Sequence, residues 1–176
     1  IEKQPLGATN FPRLRVLGRG GFGVVAGCMH DITGKLYAMK MLDKRLIKSK
    51  NALRHCLNER RLLSLVDSPF LVCLKYAFQT PKQVCLVLDL MTGGDLGWHL
   101  RHGPGGQRLR RPRPFSEARA RFYAAQVVLA LKHLHARGIA CRDLKPENVL
   151  MDERGYVRLS DLGLASEIRH IGPSAK

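Results

Sequence analysis

Hydrophobic and polar positions alternate with a strand-like period through most of the first half of the chain. Segments of this kind recur at short intervals, and one apolar helical stripe interrupts them. The pattern predicts five strands, at 11–18, 23–29, 35–42, 73–79 and 84–90, with a helix near 53–66. Because the first three strands follow one another so closely, antiparallel pairing is expected. These elements would form one small lobe of an α+β protein.

The second half begins with a helical pattern over about 116–137. Ser116 can cap the start of this helix, and Gly138 can supply the left-handed residue that ends it. Val127, Leu131 and Leu134 are predicted to lie on its apolar side. Short strands near 149–151 and 156–159 follow, joined by a turn. We therefore expect a flank at 1–10, a first lobe at 11–91 and part of a second lobe at 92–176.

Residues 101–114 have a composition that cannot build a packed element. They contain five Arg, three Pro and three Gly, which predicts an exposed loop. A tolerated insertion is the simpler interpretation. A phosphate-binding or docking role for the arginines is the alternative.

The chain is strongly basic, with 30 Lys and Arg against 14 Asp and Glu and a net charge of +16. Such a charge suits nucleic acid, an anionic membrane surface or acidic proteins, but it does not choose among them. We favour a solvated basic face, because no recognised nucleic-acid motif accompanies the charge. Apolar runs fall short of the roughly 20 residues of a membrane span, and no secretory signal is evident, so an intracellular soluble protein is expected.

The five cysteines are scattered along the chain and include no C-x-x-C pair. An odd number without such a pair favours neither a disulfide framework nor a zinc site. Buried, reduced thiols are expected.

A glycine-rich segment lies between the first two predicted strands. Its sequence over 18–25 is Gly-Arg-Gly-Gly-Phe-Gly-Val-Val, in which missing side chains let backbone N–H groups approach phosphate oxygens. A dinucleotide-binding fold would continue from such glycines into a helix. Since a strand follows here, the segment indicates a flap over a nucleotide. An ordinary glycine-rich hairpin is the alternative.

Two charged residues stand at apolar positions of predicted elements. Lys40 lies in the middle of an apolar strand, and Glu59 is the one carboxylate on the stripe formed by Ala52, Cys56, Leu63 and Val66. A buried ammonium without a partner would be costly. We expect the two to form an ion pair that leaves Lys40 directed at the phosphates of a nucleotide.

The most specific stretch is Arg-Asp-Leu-Lys-Pro-Glu-Asn at 142–148. Phosphoryl transfer to an alcohol needs a carboxylate that accepts the hydroxyl proton, a cation near the phosphate and oxygen ligands for Mg²⁺. Asp143, Lys145 and Asn148 supply these groups in order, and Asp161 follows 18 residues after Asp143 in Asp-Leu-Gly. The predicted catalytic residues are Asp143 and Lys145. The predicted Mg²⁺ ligands are Asn148 and Asp161.

The order of these elements resembles the protein kinase superfamily, and Lys145 is typical of its serine/threonine members. Several segments are further similar to the G-protein-coupled receptor kinases of the AGC group, and most of all to their β-adrenergic-receptor-kinase branch. They are Leu-Asn-Glu-Arg at 57–60, Pro-Phe-Leu-Val-Cys at 69–73, Leu-Asp-Leu-Met-Thr-Gly-Gly-Asp-Leu at 88–96, Arg-Phe-Tyr-Ala-Ala at 121–125 and Ser-Asp-Leu-Gly-Leu-Ala at 160–165. The resemblance runs over about 11–165.

The resemblance implies a bilobal kinase fold with a complete five-stranded first lobe and its helix, ATP and Mg²⁺ as cofactors, and a set of nucleotide contacts. Leu88 would be the gatekeeper, Asp89–Met91 the hinge that holds adenine through backbone groups, and Asp95 a ribose contact. The implied ATP-binding residues are Leu17, Gly18, Arg19, Gly20, Gly21, Phe22, Gly23, Val25, Ala38, Lys40, Glu59, Leu88, Asp89, Met91, Asp95 and Leu150. Of these, Val25, Ala38 and Leu150 would enclose the adenine ring.

The chain departs from the kinase pattern at three places. Cys141 stands where kinases usually have His and this branch Tyr, in an internal spine that would include Leu63 and Leu162. Residues 101–114 are longer than the usual connection. The chain also stops soon after Asp-Leu-Gly at 161–163, before any Ala-Pro-Glu segment, which would leave the second lobe truncated.

The expected function is therefore transfer of the ATP γ-phosphate to a serine or threonine hydroxyl of a protein. The resemblance implies an activated G-protein-coupled receptor as substrate. The lack of a predicted membrane span or secretory signal indicates a cytoplasmic location, and the net positive charge would suit peripheral contact with an anionic membrane. Two alternatives remain open: a non-catalytic nucleotide-binding fragment, and another AGC-group kinase with a non-receptor substrate. A nucleic-acid binder is the least favoured alternative.

Overall fold

The computed structural model describes residues 6–103 and 106–168, which fall into two compact units. Unit 1 comprises Ile1–Ser64 and Val72–Met91, and unit 2 comprises Leu65–Leu71 and Thr92–Lys176. Part of the predicted flank, at 1–5, and the last eight residues of the predicted second lobe, at 169–176, lie outside the described residues.

Unit 1 is built on one antiparallel sheet of five strands. Its order is β1-β2-β3-β5-β4, so only β5 and β4 depart from a simple succession of neighbours. The strands are β1 (Arg13–Gly20), β2 (Gly23–Met29), β3 (Leu36–Asp43), β4 (Leu74–Gln79) and β5 (Gln83–Asp89). The five predicted strands are confirmed.

Two helices lie between β3 and β4 in the sequence, α1 (Lys44–Ser49) and α2 (Leu53–Leu65). The sequence predicted α2 but missed α1, a six-residue helix that continues directly from a strand. Asp43 caps α1, since its carboxylate accepts hydrogen bonds from the backbone N–H groups of Arg45 and Leu46, at 2.7 and 3.4 Å. Such a short helix depends on its cap and has little periodicity to detect.

The two faces of the sheet carry different residues. Tyr37, Met39 and Met41 of β3 are buried in a core cluster with Phe11 and Val87. Since side chains alternate along a strand, Ala38 and Lys40 lie on the opposite face. The strand register places two further residues beside them, because Val25 pairs with Lys40 and Leu88 pairs with Ala38. Four residues implied to bind ATP therefore share one face of the sheet.

The described part of unit 2 contains two α-helices and two small two-stranded antiparallel sheets. The helices are α3 (Leu96–Arg101) and α4 (Glu117–His135); β6 (Ile139–Ala140) pairs with β9 (Ser166–Glu167), and β7 (Val149–Met151) pairs with β8 (Val157–Leu159). Of these helices and strands, α3, β6 and β9 were not predicted. Ser116 caps α4 by accepting a 3.4 Å hydrogen bond from the backbone N–H of Arg119, and Gly138 has φ +67° just beyond the helix.

The buried stripe of α4 differs from the predicted one. Leu134 is buried as expected, but Val127 and Leu131 are only half-buried, and the other fully buried residues are Tyr123, Gln126 and Ala130. Gln126 was missed because a polar residue on a helix is ordinarily assigned to solvent. It is buried here because its side-chain oxygen accepts a 2.9 Å hydrogen bond from the backbone N–H of Val157.

All five cysteines are free thiols, and four are buried, whereas Cys56 is half-buried. Among residues 6–103 and 106–168, no helix is long and apolar enough to cross a membrane.

Candidate active site

The glycine-rich segment forms the tight connection between β1 and β2, where Gly20 pairs with Gly23. A strand follows the glycines, as predicted, rather than a helix. A Cβ atom added at Gly23 would lie 1.9 Å from the Met41 carbonyl oxygen, whereas one at Gly18 or Gly20 would meet nothing within 4 Å. Gly23 is therefore required by the close approach of β2 and β3, and the other two glycines leave backbone exposed.

Lys50 supports this connection and was not identified from the sequence. Its ammonium donates a 2.7 Å hydrogen bond to the Gly21 carbonyl and lies 5.3 Å from the centre of the Phe22 ring. A cation over an aromatic face is favourable. Lys50, the C-cap residue of α1, thus holds the tip of the glycine-rich segment.

Lys40 of β3 and Glu59 of α2 form the predicted ion pair. The Lys40 Nζ atom lies 2.6 Å from Glu59 Oε1. The Glu59 side chain is 7% exposed and that of Lys40 is 23% exposed, so the carboxylate depends on this partner more than the ammonium does. Of the apolar residues in the predicted stripe, Ala52, Leu63 and Val66 are buried, and Cys56 is half-buried.

The end of β5 carries the residues implied to form the hinge. The Asp89 carboxylate accepts a 3.1 Å hydrogen bond from the backbone N–H of Cys73, and its other oxygen lies 3.4 Å from the Lys75 ammonium. Its backbone N–H donates to the Cys73 carbonyl at 3.1 Å. Because these contacts engage the side chain within unit 1, an adenine contact at Asp89 would use the backbone carbonyl, as the resemblance implies.

In unit 2, Asp143 is held by the two residues predicted to act with it. Lys145 donates a 2.7 Å hydrogen bond to Asp143 Oδ2, and the Asn148 amide donates to the same oxygen and to the Asp143 carbonyl, each at 2.9 Å. The hydrogen bond from Lys145, followed by that from Asn148, lowers the pKa of Asp143 below its usual value. The carboxylate is therefore ionised at neutral pH, as a proton acceptor must be.

The hydrogen bond from Lys145 to Asp143 also affects the lysine. Together with the negative charges of Asp143, Asp161 and Glu147, it raises the pKa of Lys145 above its usual value. Lys145 consequently remains a cation. A fixed positive charge beside a proton-accepting carboxylate suits a reaction in which negative charge shifts between oxygen atoms.

Ser160, the residue before Asp161, connects this segment to the loop that carries Asp143. Ser160 donates to the Asn148 carbonyl from its backbone N–H, at 2.8 Å, and from its hydroxyl, at 3.0 Å. Asp161 itself has φ +56°, and its carboxylate accepts a 3.0 Å hydrogen bond from the Gly163 N–H. A non-glycine residue in this region of φ is strained and is typical of functional positions. Ser160 was not identified from the sequence.

Arg142 also adopts a left-handed conformation, with φ +62°. Its guanidinium Nε donates a 2.8 Å hydrogen bond to the Leu164 carbonyl, beyond Asp-Leu-Gly. This contact is a second tie between the loop that carries Asp143 and the segment that carries Asp161.

The side-chain oxygens of Asn148 and Asp161 are suitable ligands for Mg²⁺. Since both Asn148 hydrogen bonds to Asp143 come from the amide nitrogen, the amide oxygen is left to accept a cation. Within the described ranges, no three or more His, Cys, Asp or Glu residues cluster as a metal site. Mg²⁺ does not require such a cluster, because it is commonly held by one or two protein oxygens together with substrate phosphates.

Asp95 and Leu150 lie side by side in unit 2, where they form an isolated antiparallel bridge. Asp95 caps α3, because its Oδ1 accepts a 2.7 Å hydrogen bond from the Trp98 N–H. This leaves Oδ2 for the implied ribose contact.

The remaining implied ATP contacts, including Leu17, Arg19 and Met91, lie at the edges of these elements. Leu17 and Arg19 are exposed on β1, and Met91 is half-buried beyond β5. Leu63, Cys141 and Leu162, the implied spine residues, are each buried. Their roles stay predictions.

Comparison with known sequences identifies the family. The protein kinase domain family matches residues 11–174. The chain belongs to the protein kinase family. The α+β kinase fold expected from the sequence is thereby confirmed, and the two units carry the elements that the family motifs require.

The chain shares about half of its aligned residues with known receptor kinases. The chain is 53% identical to human β-adrenergic receptor kinase 1 over 165 residues, covering 92% of this chain and 22% of that protein. It is 48% identical to G protein-coupled receptor kinase 1 of Caenorhabditis elegans over 174 residues, covering 98% of this chain and 26% of that protein. The resemblance to receptor kinases is confirmed. The chain spans about a quarter of the length of these relatives.

Proposed function

We propose that this protein is a serine/threonine kinase that transfers the γ-phosphate of ATP to a hydroxyl group of a protein. One observation supports the proposal most directly: Asp143 is held as an ionised carboxylate by Lys145 and Asn148. Protein kinase domains use ATP and typically Mg²⁺, and residues of both units would serve these two cofactors as follows.

In unit 1, the open backbone at Gly18 and Gly20 would bind phosphate oxygens through N–H groups. Lys40, held by Glu59, would direct its ammonium to the α- and β-phosphates. Val25, Ala38 and Leu88 share the sheet face of Lys40 and would contact the adenine. Unit 1 thus supplies the nucleotide-binding groups.

In unit 2, Asp143 would orient the substrate hydroxyl and accept its proton as the oxygen bonds to the γ-phosphorus. The bond between this phosphorus and the β–γ bridging oxygen breaks, and ADP leaves. Lys145 would stabilise the charge on the transferring phosphoryl group. Asn148 and Asp161 would hold Mg²⁺, which neutralises phosphate charge when bound.

We further propose a membrane receptor substrate and a cytoplasmic location with peripheral membrane contact. The support for both is the similarity to proteins named as receptor kinases. The net charge of +16 would favour approach to an anionic membrane surface. The second candidate is a non-receptor protein substrate, as for another kinase of the AGC group. It remains a candidate because about three quarters of the length of those relatives has no counterpart in this chain.

The catalytic proposal is tested with Asp143→Asn, which keeps the size of the side chain and removes its ability to accept a proton. We expect transfer from γ-labelled ATP to a serine-containing protein to fall by about 10²–10⁴-fold, with Mg²⁺–ATP binding retained. Asp152→Asn is the matched control, because Asp152 sits in the turn between β7 and β8. Full transfer by Asp143→Asn would contradict the proposed role, while ATP binding without transfer in the unmodified protein would support a non-catalytic nucleotide-binding function.

A further inference from the structure

The basic segment at 101–114 lines a cavity in unit 2 that the proposed kinase chemistry does not use. The cavity has a volume of about 720 Å³ and is walled by α3, by the end of the basic segment and by the first turn of α4. Pockets that bind small molecules and cofactors commonly have volumes of about 300–1,000 Å³. The cavity is therefore large enough to accept several groups of a ligand.

The charge of this cavity has one sign. Its lining includes Arg113 and Arg119 together with His99 and His102, and no described residue that lines it is acidic. Glu117, the carboxylate of the adjoining helical turn, is engaged by Arg121, whose guanidinium lies 2.6 Å from it. An anion entering the cavity would therefore meet the guanidinium groups of Arg113 and Arg119 without a competing carboxylate among the described lining residues.

The arginines of the basic segment differ in their partners. Arg101 forms an ion pair with Glu147 at 2.5 Å. None of the other four, Arg108, Arg110, Arg111 and Arg113, forms an ion pair with a residue in 6–103 or 106–168. Of these four arginines, Arg113 lines the cavity, and because it forms no ion pair with a described residue, its guanidinium can accept an anionic partner.

Backbone hydrogen bonds fix the described parts of the basic segment against α3. The Leu109 N–H donates to the Arg101 carbonyl and the Arg113 N–H to the Leu100 carbonyl, both at 2.8 Å. The Gly103 N–H donates to the Gln107 carbonyl at 2.9 Å. Arg113 thus projects from a held backbone, which lowers the entropy lost when it binds a ligand.

Aromatic rings form a further part of the wall. The ring of His102 stacks on Trp98 with 4.5 Å between centroids, and the Phe115 ring packs edge-on against Tyr123 at 5.3 Å. The Arg119 guanidinium lies 5.8 Å from the centre of Phe115. The cavity therefore offers apolar area beside its cations.

We propose that this cavity is a docking site for an acidic peptide segment of a partner protein. Arginine forks bind carboxylate and phosphate groups in a bidentate manner, and the rings would contact the aliphatic parts of the same segment. A peptide suits the site better than a membrane, because a lipid surface does not fill a recess. It also suits the site better than nucleic acid, because Arg113 and Arg119 line one recess and do not form an extended row along which a phosphate backbone could run.

Trp98 makes the proposal directly measurable, because it is the only tryptophan of the chain and lines the cavity. Its fluorescence would be followed during titration with a Glu-rich peptide, a phosphoserine peptide of equal charge and a neutral Gln-containing peptide. We expect saturable changes with one or both acidic peptides and none with the neutral one. Comparison of the two acidic peptides distinguishes carboxylate from phosphate as the recognised group.

Arg113→Glu should weaken acidic-peptide binding by about 10- to 100-fold. Arg154→Glu is the control, because Arg154 is an exposed arginine outside the cavity, with its side chain 77% exposed, and undergoes the same charge change. Thermal stabilisation by Mg²⁺–ATP should be equal in both variants, which separates this site from the nucleotide site.

Equal loss in the two variants would overturn the proposal, since it would show binding to net charge alone. So would acidic peptides that leave Trp98 fluorescence unchanged, or tighter binding to phosphatidylserine vesicles or duplex DNA than to the acidic peptides.

Discussion

Replacing Lys40 by Met would leave the Glu59 carboxylate in a largely buried position without the ammonium that lies 2.6 Å from it. At that distance and an effective dielectric constant of about 20, the two charges attract by about 6 kcal/mol, much of which desolvation offsets. The two partners differ in exposure, 23% for Lys40 and 7% for Glu59. We therefore expect Lys40→Met to destabilise the fold by about 3 kcal/mol, near the lower end of values for broken buried pairs.

Glu59→Gln should cost less, about 1 kcal/mol, because the more exposed Lys40 ammonium can turn to water. For a chain of this length, these losses lower the melting temperature by about 6–12 °C and about 2–4 °C, respectively. The double variant should lose less than the sum, with a coupling energy of about 1–3 kcal/mol.

Thermal and urea unfolding of the four proteins would measure the cycle, with Lys48→Met as a control at an exposed lysine of α1. Losses that add to within about 0.5 kcal/mol would refute the reasoning, because they would show that the two charges do not stabilise each other. A Lys48→Met loss as large as that of Lys40→Met would refute it as well.

Two further predictions concern the glycine-rich segment and the pH dependence of transfer. Gly23→Ala should lower the unfolding free energy by about 2 kcal/mol or more, because the added Cβ would lie 1.9 Å from the Met41 carbonyl oxygen. Gly20→Ala is the control and should change the unfolding free energy little, because its added Cβ would meet nothing within 4 Å. Equal losses in urea unfolding of the two variants would contradict the assigned packing. Lys145→Ala should raise the pKa of Asp143 toward its ordinary value, because the largest cause of its lowering is the hydrogen bond from Lys145. Protonation would then begin at a higher pH, so the acid limb of kcat/KM should move upward in pH, and an unmoved limb would show that Asp143 is not the titrating group.

The fold of unit 1 could be predicted because its strands are short segments that alternate or run apolar and are separated by turn residues. The Lys40–Glu59 pair could be predicted for the same reason, since each charge interrupts an apolar pattern and requires a partner. The Asp143 cluster followed from residue types in a short loop, where sequence neighbours are also spatial neighbours. The structure contains the predicted Lys40–Glu59 pair and also places Lys145 and Asn148 against Asp143, while the catalytic roles stay predictions.

Other features depend on contacts between residues that are far apart in the sequence, and these could not be predicted. Lys50, Ser160 and Gln126 act through backbone groups that are remote in sequence, and no local pattern marks such bonds. The short helices α1 and α3 each begin after a capping aspartate, and six residues carry too little periodicity to be recognised. The cavity beside the basic segment likewise combines residues from three separate elements.

The most direct measurement is thermal unfolding of the protein with increasing ATP, in the presence and absence of Mg²⁺, compared with Lys40→Met under the same conditions. At about 100 times the dissociation constant, a bound ligand stabilises the fold by about 2.7 kcal/mol, which corresponds to about 5–11 °C for this chain length. We predict this Mg²⁺-dependent shift for the unmodified protein and little or no shift for Lys40→Met, each relative to its own ligand-free value. No shift in the unmodified protein, or an equal shift in Lys40→Met, would contradict a kinase-type nucleotide site at these residues.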